Sequence, residues 1–287
     1  MTTNVERMLP LYEAKMIHHF DHRWATYERD GSVRDVTPSE KSDPHFTATP
    51  RYWVREELPR ERLGERWQQL WLMGWRDIAR ATDERTTIAS FVGEGASPEG
   101  GTLLNLPSSE SADDAQLLLA SLNSFAFDFA ARQKVGGTHV KYFTMRQLPV
   151  LPPYRFDEIP PFLTTSVRKW VLARTIELID TAYDTQCLQP EMAPFGWDPA
   201  RRSVLRAELD AAFFHLYGIA RGDVDYIMET FPIVKRKDVA AHGEYRTKRL
   251  ILEVFDAMQH AIDTGTEYQT ILDPPPGHGP RHPVKES

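Results

Sequence analysis

The sequence predicts an α+β fold in two parts, a mixed strand and helix domain over residues 1–155 and a helical region packing on it over 156–265, with a disordered tail over 266–287. Two observations predict this order. Tryptophan, proline and β-branched residues are concentrated in the first 110 residues, whereas apolar residues after Phe156 recur at helical spacing. The 287 residues are enough for one large domain or two modest ones, each with a core.

Composition and charge restrict the class of protein. Hydrophobic residues make up 41% and charged residues 26% of the chain, which is typical of a soluble globular protein. The single cysteine, Cys187, allows no internal disulfide and excludes zinc sites built from several cysteines. No apolar run reaches the roughly 18–20 residues of a membrane helix, and the N-terminus lacks the apolar core of a signal peptide. We therefore expect a cytoplasmic protein without a membrane partner.

The first part contains three predicted strands. The stretch PRYWVREEL (50–58) is typical of one strand, and alternation in WLMGWRDIARATDERTTIASFVG (71–93) predicts two strands around a turn at residues 82–84. The glycine-rich GEGASPEGG (93–101) follows. It lacks the lysine of a P-loop and the spacing of a dinucleotide fingerprint, so a surface loop is favoured over a phosphate cradle.

The first strong helix is predicted over residues 111–135. Ser111 and Asp114 resemble a capping box at its start. Apolar side chains fall on one face, at Leu118, Leu122, Phe125 and Phe129. The helix runs into Gly136–Gly137, and we expect one of these glycines to take a positive φ at the helix end. The prolines at 149, 152 and 153 then impose an extended exit.

The second part contains four predicted helices. They cover residues 166–184, 199–218, 223–231 and 247–263. Asp198 is expected to cap the second of them, with Pro199 in the first turn. The tail after Asp273 is rich in proline and glycine, which predicts disorder.

Several short motifs suggest chemistry but lack essential residues. His18 and His22 in HHFDHR could share a helix face and bind zinc, but the glutamate of an HExxH motif is missing, and a surface or DNA-facing cluster is favoured. The stretch YEAK (12–15) is half of a metal-dependent nuclease signature without the aspartate that must precede it. LDPPP (272–276) has Pro276 where an adenine methyltransferase needs an aromatic residue. We find no catalytic constellation.

The stretch RQKVGGTHVKYFTMRQLPVLPP (132–153) is the strongest candidate for function. The segment from Phe125 to Arg155 contains five basic residues and one acidic residue, although the net charge of −7 on the whole chain opposes nucleic-acid binding. A plain helix end followed by a loop over the core would explain the glycines and prolines. It would not explain the polar and basic residues around them, namely Arg132, Lys134, Thr138, His139, Lys141 and Tyr142. Glycines allow backbone N–H groups to approach an anion closely, which favours a phosphate backbone as the ligand.

Four stretches resemble large adenine-N6 DNA methyltransferases of restriction–modification and related phage-defence systems. The most specific is LNSFAFDFAARQKVGGTHVKYFTMRQLPVLPP (122–153), which resembles their target-recognition region. WRDIARATDERTTIAS (75–90) and YGIARGDVDYIMETFPIVKRKD (217–238) also fit the family. LPLYEAKMIHHFDHRWATYE (9–28) is similar to the segment that follows their catalytic domain. A more distant similarity is to the recognition domains of type I specificity subunits, in which a glycine-centred segment leads to a short strand and a proline-rich exit.

The resemblance implies a DNA-reading part without its catalytic half. In the family, an upstream domain binds S-adenosylmethionine and carries an Asn-Pro-Pro-aromatic motif that grips a flipped adenine, and this chain departs from the family in having neither. We therefore expect no cofactor in this chain, because S-adenosylmethionine would bind the missing catalytic domain. The expected partners are double-stranded DNA and the methyltransferase catalytic domain, in cis or in trans.

The expected DNA contacts follow from residue type. Cations would fix phosphates, at Arg132, Lys134 and Lys141. Polar residues past the glycines would read base edges, at Thr138, His139 and Tyr142. Gly136 and Gly137 would let the backbone approach the DNA, and a second candidate set lies on the paired strands, at Arg76, Arg80 and Arg85. The alternative is a helical protein-interaction subunit without direct DNA readout, which the acidic net charge favours.

Overall fold

The computed structural model describes residues 6–97, 102–105 and 111–283 and shows an α+β fold, which confirms the predicted class. The strands of the described residues are β1 (Met8–Pro10), β2 (Ala25–Tyr27), β3 (Val33–Asp35), β4 (Trp53–Arg55), β5 (Trp71–Arg76), β6 (Ala89–Gly93) and β7 (Thr102–Asn105). The α-helices of the same residues are α1 (Pro38–Ser42), α2 (Glu57–Leu63), α3 (Ala112–Asn123), α4 (Phe125–Lys134), α5 (Tyr142–Met145), α6 (Val167–Ile179), α7 (Pro199–Leu216), α8 (Arg221–Glu229), α9 (Pro232–His242) and α10 (Arg246–Thr264).

The strands form small antiparallel sheets. β1 pairs with β4, β2 pairs with β3, and β5 is the central strand of a sheet in the order β6-β5-β7. The two strands predicted over 71–93 are β5 and β6, with Met73 opposite Phe91. Only Trp53–Arg55 of the strand predicted over 50–58 forms a strand, and helix-forming residues start α2 at Glu57. Residues 98–101 of the glycine-rich loop lie outside the described residues.

The helix predicted over 111–135 is divided into α3 and α4 at Ser124. This residue is extended, with φ −69° and ψ 148°, and its side chain accepts a hydrogen bond from the Phe127 N–H. The Phe125 N–H donates to Asp210 Oδ1 of α7 at 2.8 Å. A serine can end one helix and cap the next, and the tertiary contact with Asp210 fixes the break.

The helical second part follows the predicted order, with one addition. Asp198 caps α7 as expected, accepting from the N–H groups of Ala200 and Arg201. The sequence analysis did not identify α9, since Val234 is the only buried residue of that helix and no apolar stripe marks it. Helix α8 ends at Glu229, before Pro232, and Pro232 starts α9, because proline fits the first turn of a helix.

One contiguous set of buried residues extends from Tyr12 to Tyr268, so the two predicted parts share a core. The most extensive contact between the described helices joins α7 and α10. The change near residue 155 is therefore a change of secondary structure within that core. Among the described helices, none combines the length and the apolar character needed to cross a lipid bilayer.

Residues 266–283 differ from the disordered tail that their composition predicts. Tyr268 is buried, and its hydroxyl donates to Glu208 Oε1 at 2.8 Å. The Gly277 N–H donates to Glu177 Oε2 at 2.9 Å. Buried carboxylates on α6 and α7 thus give the proline-rich segment hydrogen-bond partners that composition does not reveal. Residues 284–287 of the predicted tail lie outside the described residues.

Candidate nucleic-acid interface

The glycine loop, residues 136–141, is fixed along the chain segment that continues β5. The Ala79 N–H donates to the Thr138 carbonyl at 3.1 Å, and the Val140 N–H donates to the Asp77 carbonyl at 2.7 Å. The indole N–H of Trp75 donates to the Val140 carbonyl at 2.7 Å. These bonds hold the loop as an added edge beside residues 77–79, so its backbone is preorganised.

The two glycines do not take the conformation that we expected. Neither Gly136 nor Gly137 has a positive φ, and a Cβ at either position would meet no described atom within 4 Å. The chain leaves α4 earlier, at Val135, which is extended with φ −80° and ψ 98°. The helix therefore ends one residue earlier than predicted. Neither glycine is required there by a backbone conformation that other residues avoid.

Asp77 binds two basic side chains of the glycine loop. Its carboxylate is fully buried and accepts hydrogen bonds from His139 Nδ1 at 3.1 Å and from Lys141 Nζ at 2.6 Å. We call these three residues the Asp77 cluster. In a neutral imidazole this contact places the proton on Nδ1 and leaves Nε2 as a free acceptor. The carboxylate offsets the charge of Lys141 but orients its ammonium group.

A second aspartate, Asp128 of α4, binds Arg85 and Arg132, and we call these three residues the Asp128 cluster. Asp128 Oδ2 accepts from Arg85 Nε at 2.6 Å, and Oδ1 accepts from Arg132 Nε at 3.3 Å. Arg132 also donates to the Asp83 carbonyl at 2.6 Å and stacks on Phe231, 4.0 Å from the ring centroid. Burial lowers the pKa of Arg132 and Asp128 opposes that shift.

The Asp128 cluster corrects the predicted phosphate contacts of Arg85 and Arg132. Both guanidinium groups are turned inward and donate to protein acceptors, so they stabilise the fold. The predicted DNA contact of Arg76 is corrected in the same way. Its Nε donates to the Ile17 carbonyl at 3.0 Å, and burial lowers its pKa to about 10. Sequence spacing could not separate these arginines from exposed ones.

Exposed cations remain beside the glycine loop. Lys134 and Arg80 are exposed, and neither side chain has a hydrogen bond or ion pair with the part of the chain that the structure describes. Arg80 directly follows Ala79, whose N–H binds the loop at Thr138. Lys134 is the last residue of α4. These two cations are thus available to a phosphate backbone.

Aromatic and apolar side chains are exposed at the same place. Ile78 is bridged to His139 and is 55% exposed, and Phe143 is 69% exposed. Tyr142 is also exposed, and its ring contacts Trp75 edge-on with 4.9 Å between centroids. We define the glycine-loop surface as the partly exposed Lys141 with the exposed residues Ile78, Arg80, Lys134, Thr138, His139, Tyr142 and Phe143.

The histidine-rich segment does not form the helical zinc site considered above. His18 and Asp21 are bridged in a tight turn in which Phe20 has φ 55°. His22 Nε2 is bonded to Asp184 Oδ1 at 2.8 Å, and His19 Nε2 contacts a backbone carbonyl. Over the ranges that the structure describes, no group of three or more metal-ligating side chains occurs.

Sequence analysis missed a further group of polar residues. His18, Arg206, Lys237 and Arg246 line one cavity although they lie on four separate segments. No local spacing connects these positions. Basic residues on neighbouring helices are an available signal, but the sequence does not show which faces meet.

No family model matches the chain, and no curated protein and no solved structure matches it either.

Proposed function

We propose that the chain is the DNA-binding target-recognition module of an S-adenosylmethionine-dependent, adenine-specific DNA methyltransferase of a restriction–modification or phage-defence system. The observation that carries the proposal is the glycine-loop surface, where a fixed backbone presents cations and aromatic rings to solvent. It is formed by the stretch whose motif resembles the family. Its preorganisation lowers the entropy that binding would cost.

The glycine-loop surface offers contacts of two kinds. Lys134 and Arg80 would bind phosphates, since neither is committed to a protein carboxylate. His139 would present Nε2 and Thr138 its hydroxyl to a base edge, because both side chains are exposed. The exposed ring of Phe143 would pack on a thymine methyl group or an unstacked base.

The charges predict modest, salt-dependent binding. With three arginines turned inward, about two or three cations would neutralise phosphates, so the slope of log affinity against log salt should be about −2 to −3. Fluorescence anisotropy with a labelled duplex measures this slope. Absence of binding at low salt, or a slope near zero, would contradict the proposal.

Single substitutions distinguish residues of the glycine-loop surface that would bind DNA from residues that stabilise the fold. Lys134→Ala should weaken binding to all duplexes and flatten the slope by about one unit. Lys169→Ala is the matched control, because Lys169 is an exposed lysine of α6 whose side chain has no described partner. Arg132→Ala should lower stability and leave the slope per folded molecule unchanged. When a catalytic domain is supplied, His139→Ala should change the methylated motif, which links the surface to target recognition.

The exposed apolar residues also favour a second role, a protein contact. Ile78 and Phe143 present apolar area to solvent next to the glycine loop. The partner that suits this proposal is the methyltransferase catalytic domain, in cis or in trans. Phe143→Ser should then weaken association with that domain more than it weakens binding of the isolated chain to a duplex.

A further inference from the structure

A cavity of about 210 Å³ lies between α7, α9 and α10 on one side and the turn at residues 18–20 with the junction of α3 and α4 on the other. It does not include the glycine-loop surface. Its volume is below the range of roughly 300–1,000 Å³ of sites for drug-sized ligands, which favours a small ligand or one group of a larger one.

Arg206 of α7 lines this cavity without a partner. It has no hydrogen bond or ion pair with any residue that the structure describes, and its side chain is accessible to solvent. Burial nevertheless lowers its pKa, because protein surrounds the guanidinium on several sides. A side chain can be both accessible and surrounded when it forms the wall of a cavity that admits water. An unpaired guanidinium in such a place offers its planar set of donors to a ligand.

Further cations surround the cavity. Arg85, Lys237 and Arg246 line it, and Arg246 also has no hydrogen bond or ion pair within the described part of the chain. The pKa of His18 lies well below its ordinary value, first because the ring is buried and then because of nearby cations, Arg76 and Arg206 foremost. The imidazole is therefore neutral and can donate one hydrogen bond.

The carboxylates of the cavity are already engaged. Asp210 accepts from the Phe125 N–H, and Asp238 Oδ2 accepts from the Thr247 N–H at 2.5 Å. Glu84 forms an ion pair with Lys237. Each acid therefore has a partner at the cavity wall. None of them forms a direct ion pair with Arg206, although the charge of Asp210 opposes the lowering of the Arg206 pKa.

We propose that this cavity binds a phosphate group, held by Arg206 and Arg246 with His18 as a further donor. A phosphate has enough acceptor oxygens to bind both guanidinium groups at once, and a guanidinium matches two of them in parallel. The volume suits the phosphate group of a monoester or of a DNA strand. The inference does not depend on DNA recognition by the glycine loop.

The full chain is titrated with inorganic phosphate and with dAMP in chloride buffer, and calorimetry measures both affinities. Fluorescence anisotropy measures its affinity for a short duplex. Arg206→Gln and Arg246→Gln should each weaken phosphate binding at least about tenfold. Arg236→Gln is the matched control, because Arg236 is an exposed arginine of α9 outside the cavity. The phosphate affinity of this variant should stay within about twofold of that of the unmodified chain. Arg206→Lys should recover part of the loss, since it keeps the charge without the planar donors.

The outcomes also identify the source of the phosphate. Loss of both phosphate and duplex affinity in Arg206→Gln indicates a phosphate of DNA, whereas loss of phosphate affinity alone indicates a free monoester. Arg206 has no described bond to lose, so unfolding is not expected, and Arg246→Gln provides an independent variant. Absence of phosphate binding by the unmodified chain, or unchanged binding in both glutamine variants, overturns the proposal. The salt slope of Lys134→Ala tests the glycine loop separately.

Discussion

The Asp77 and Asp128 clusters both join one aspartate to two basic residues, but those basic residues lie at different depths. Each contains a fully buried aspartate with two basic residues. In the Asp128 cluster the basic side chains are 8% and 7% exposed, and in the Asp77 cluster they are 47% and 39% exposed. The Asp128 cluster lies inside the fold and joins α4 to the segment between β5 and β6, whereas the Asp77 cluster presents its basic residues to solvent. The depth of the carboxylate's basic partners thus separates residues that pack inside the fold from residues that face solvent.

Removing each carboxylate measures this difference in depth. Asp128→Asn should lower the free energy of unfolding by about 3–5 kcal/mol, because two buried guanidinium groups lose their counter-charge. Asp77→Asn should cost about 1–2 kcal/mol, since the ammonium of Lys141 and the ring of His139 can turn to water. Urea denaturation followed by tryptophan fluorescence measures both values. Equal losses would show that exposure of the basic partners does not set the cost.

Asp180 sharpens the comparison, because it is equally buried but has no hydrogen-bonded cation. Its nearest cation is Arg281, with Nη1 3.8 Å from Oδ2, and neither of its oxygens has a hydrogen-bond partner in the described chain. Burial raises the pKa of Asp180 from 3.8 to about 7, and Arg281 opposes that shift. The folded state thus binds this proton more tightly than the unfolded state. The contribution of Asp180 to the free energy of unfolding is therefore fully present below about pH 4 and is lost as the pH rises through about 7.

Asp180→Asn should remove this decline and raise stability at pH 8 by up to about 4 kcal/mol. A smaller decline should persist, because burial also raises the pKa of Asp210, to about 6. Urea denaturation at pH 4 to 8 measures the effect. Asp113→Asn, at an exposed position of α3, is the control and should leave the pH profile unchanged. A profile of Asp180→Asn that matches the unmodified chain would show that Asp180 is ionised in the fold without cost.

Local patterns predicted the elements that depend on local interactions. Alternation identified β5 and β6, and Asp198 with Pro199 identified the start of α7, because these signals lie within a few residues of each other. The break at Ser124 was missed, since Phe125 donates to Asp210, which is 85 residues away. Helix α9 was missed because it lacks the apolar periodicity on which the prediction relies.

For the candidate site, the sequence predicted where exposed polar residues cluster but not which of its cations are paired inside the fold. The sequence indicated the glycine loop, where His139 is exposed, and Lys134 is exposed beside it at the end of α4. It could not show that Arg132 turns inward, because its acceptors include the carbonyl of Asp83, 49 residues earlier. The cavity around Arg206 was invisible for the same reason, since its walls come from separate helices. Long-range packing determines which cations are free.

The glycine loop provides the test with the smallest expected effect. Gly137 has a negative φ and no described atom within 4 Å of an added Cβ, so alanine fits the native backbone. Gly137→Ala should therefore leave the free energy of unfolding unchanged or raise it by about 0.4–1 kcal/mol, because alanine restricts the unfolded chain. Thermal and urea unfolding measure this. Affinity for a duplex should fall only if the backbone at Gly137 lies against the DNA, whereas Lys134→Ala should reduce it in either case. A clear loss of stability in Gly137→Ala would show that the glycine is required by the fold, contrary to the open space around it.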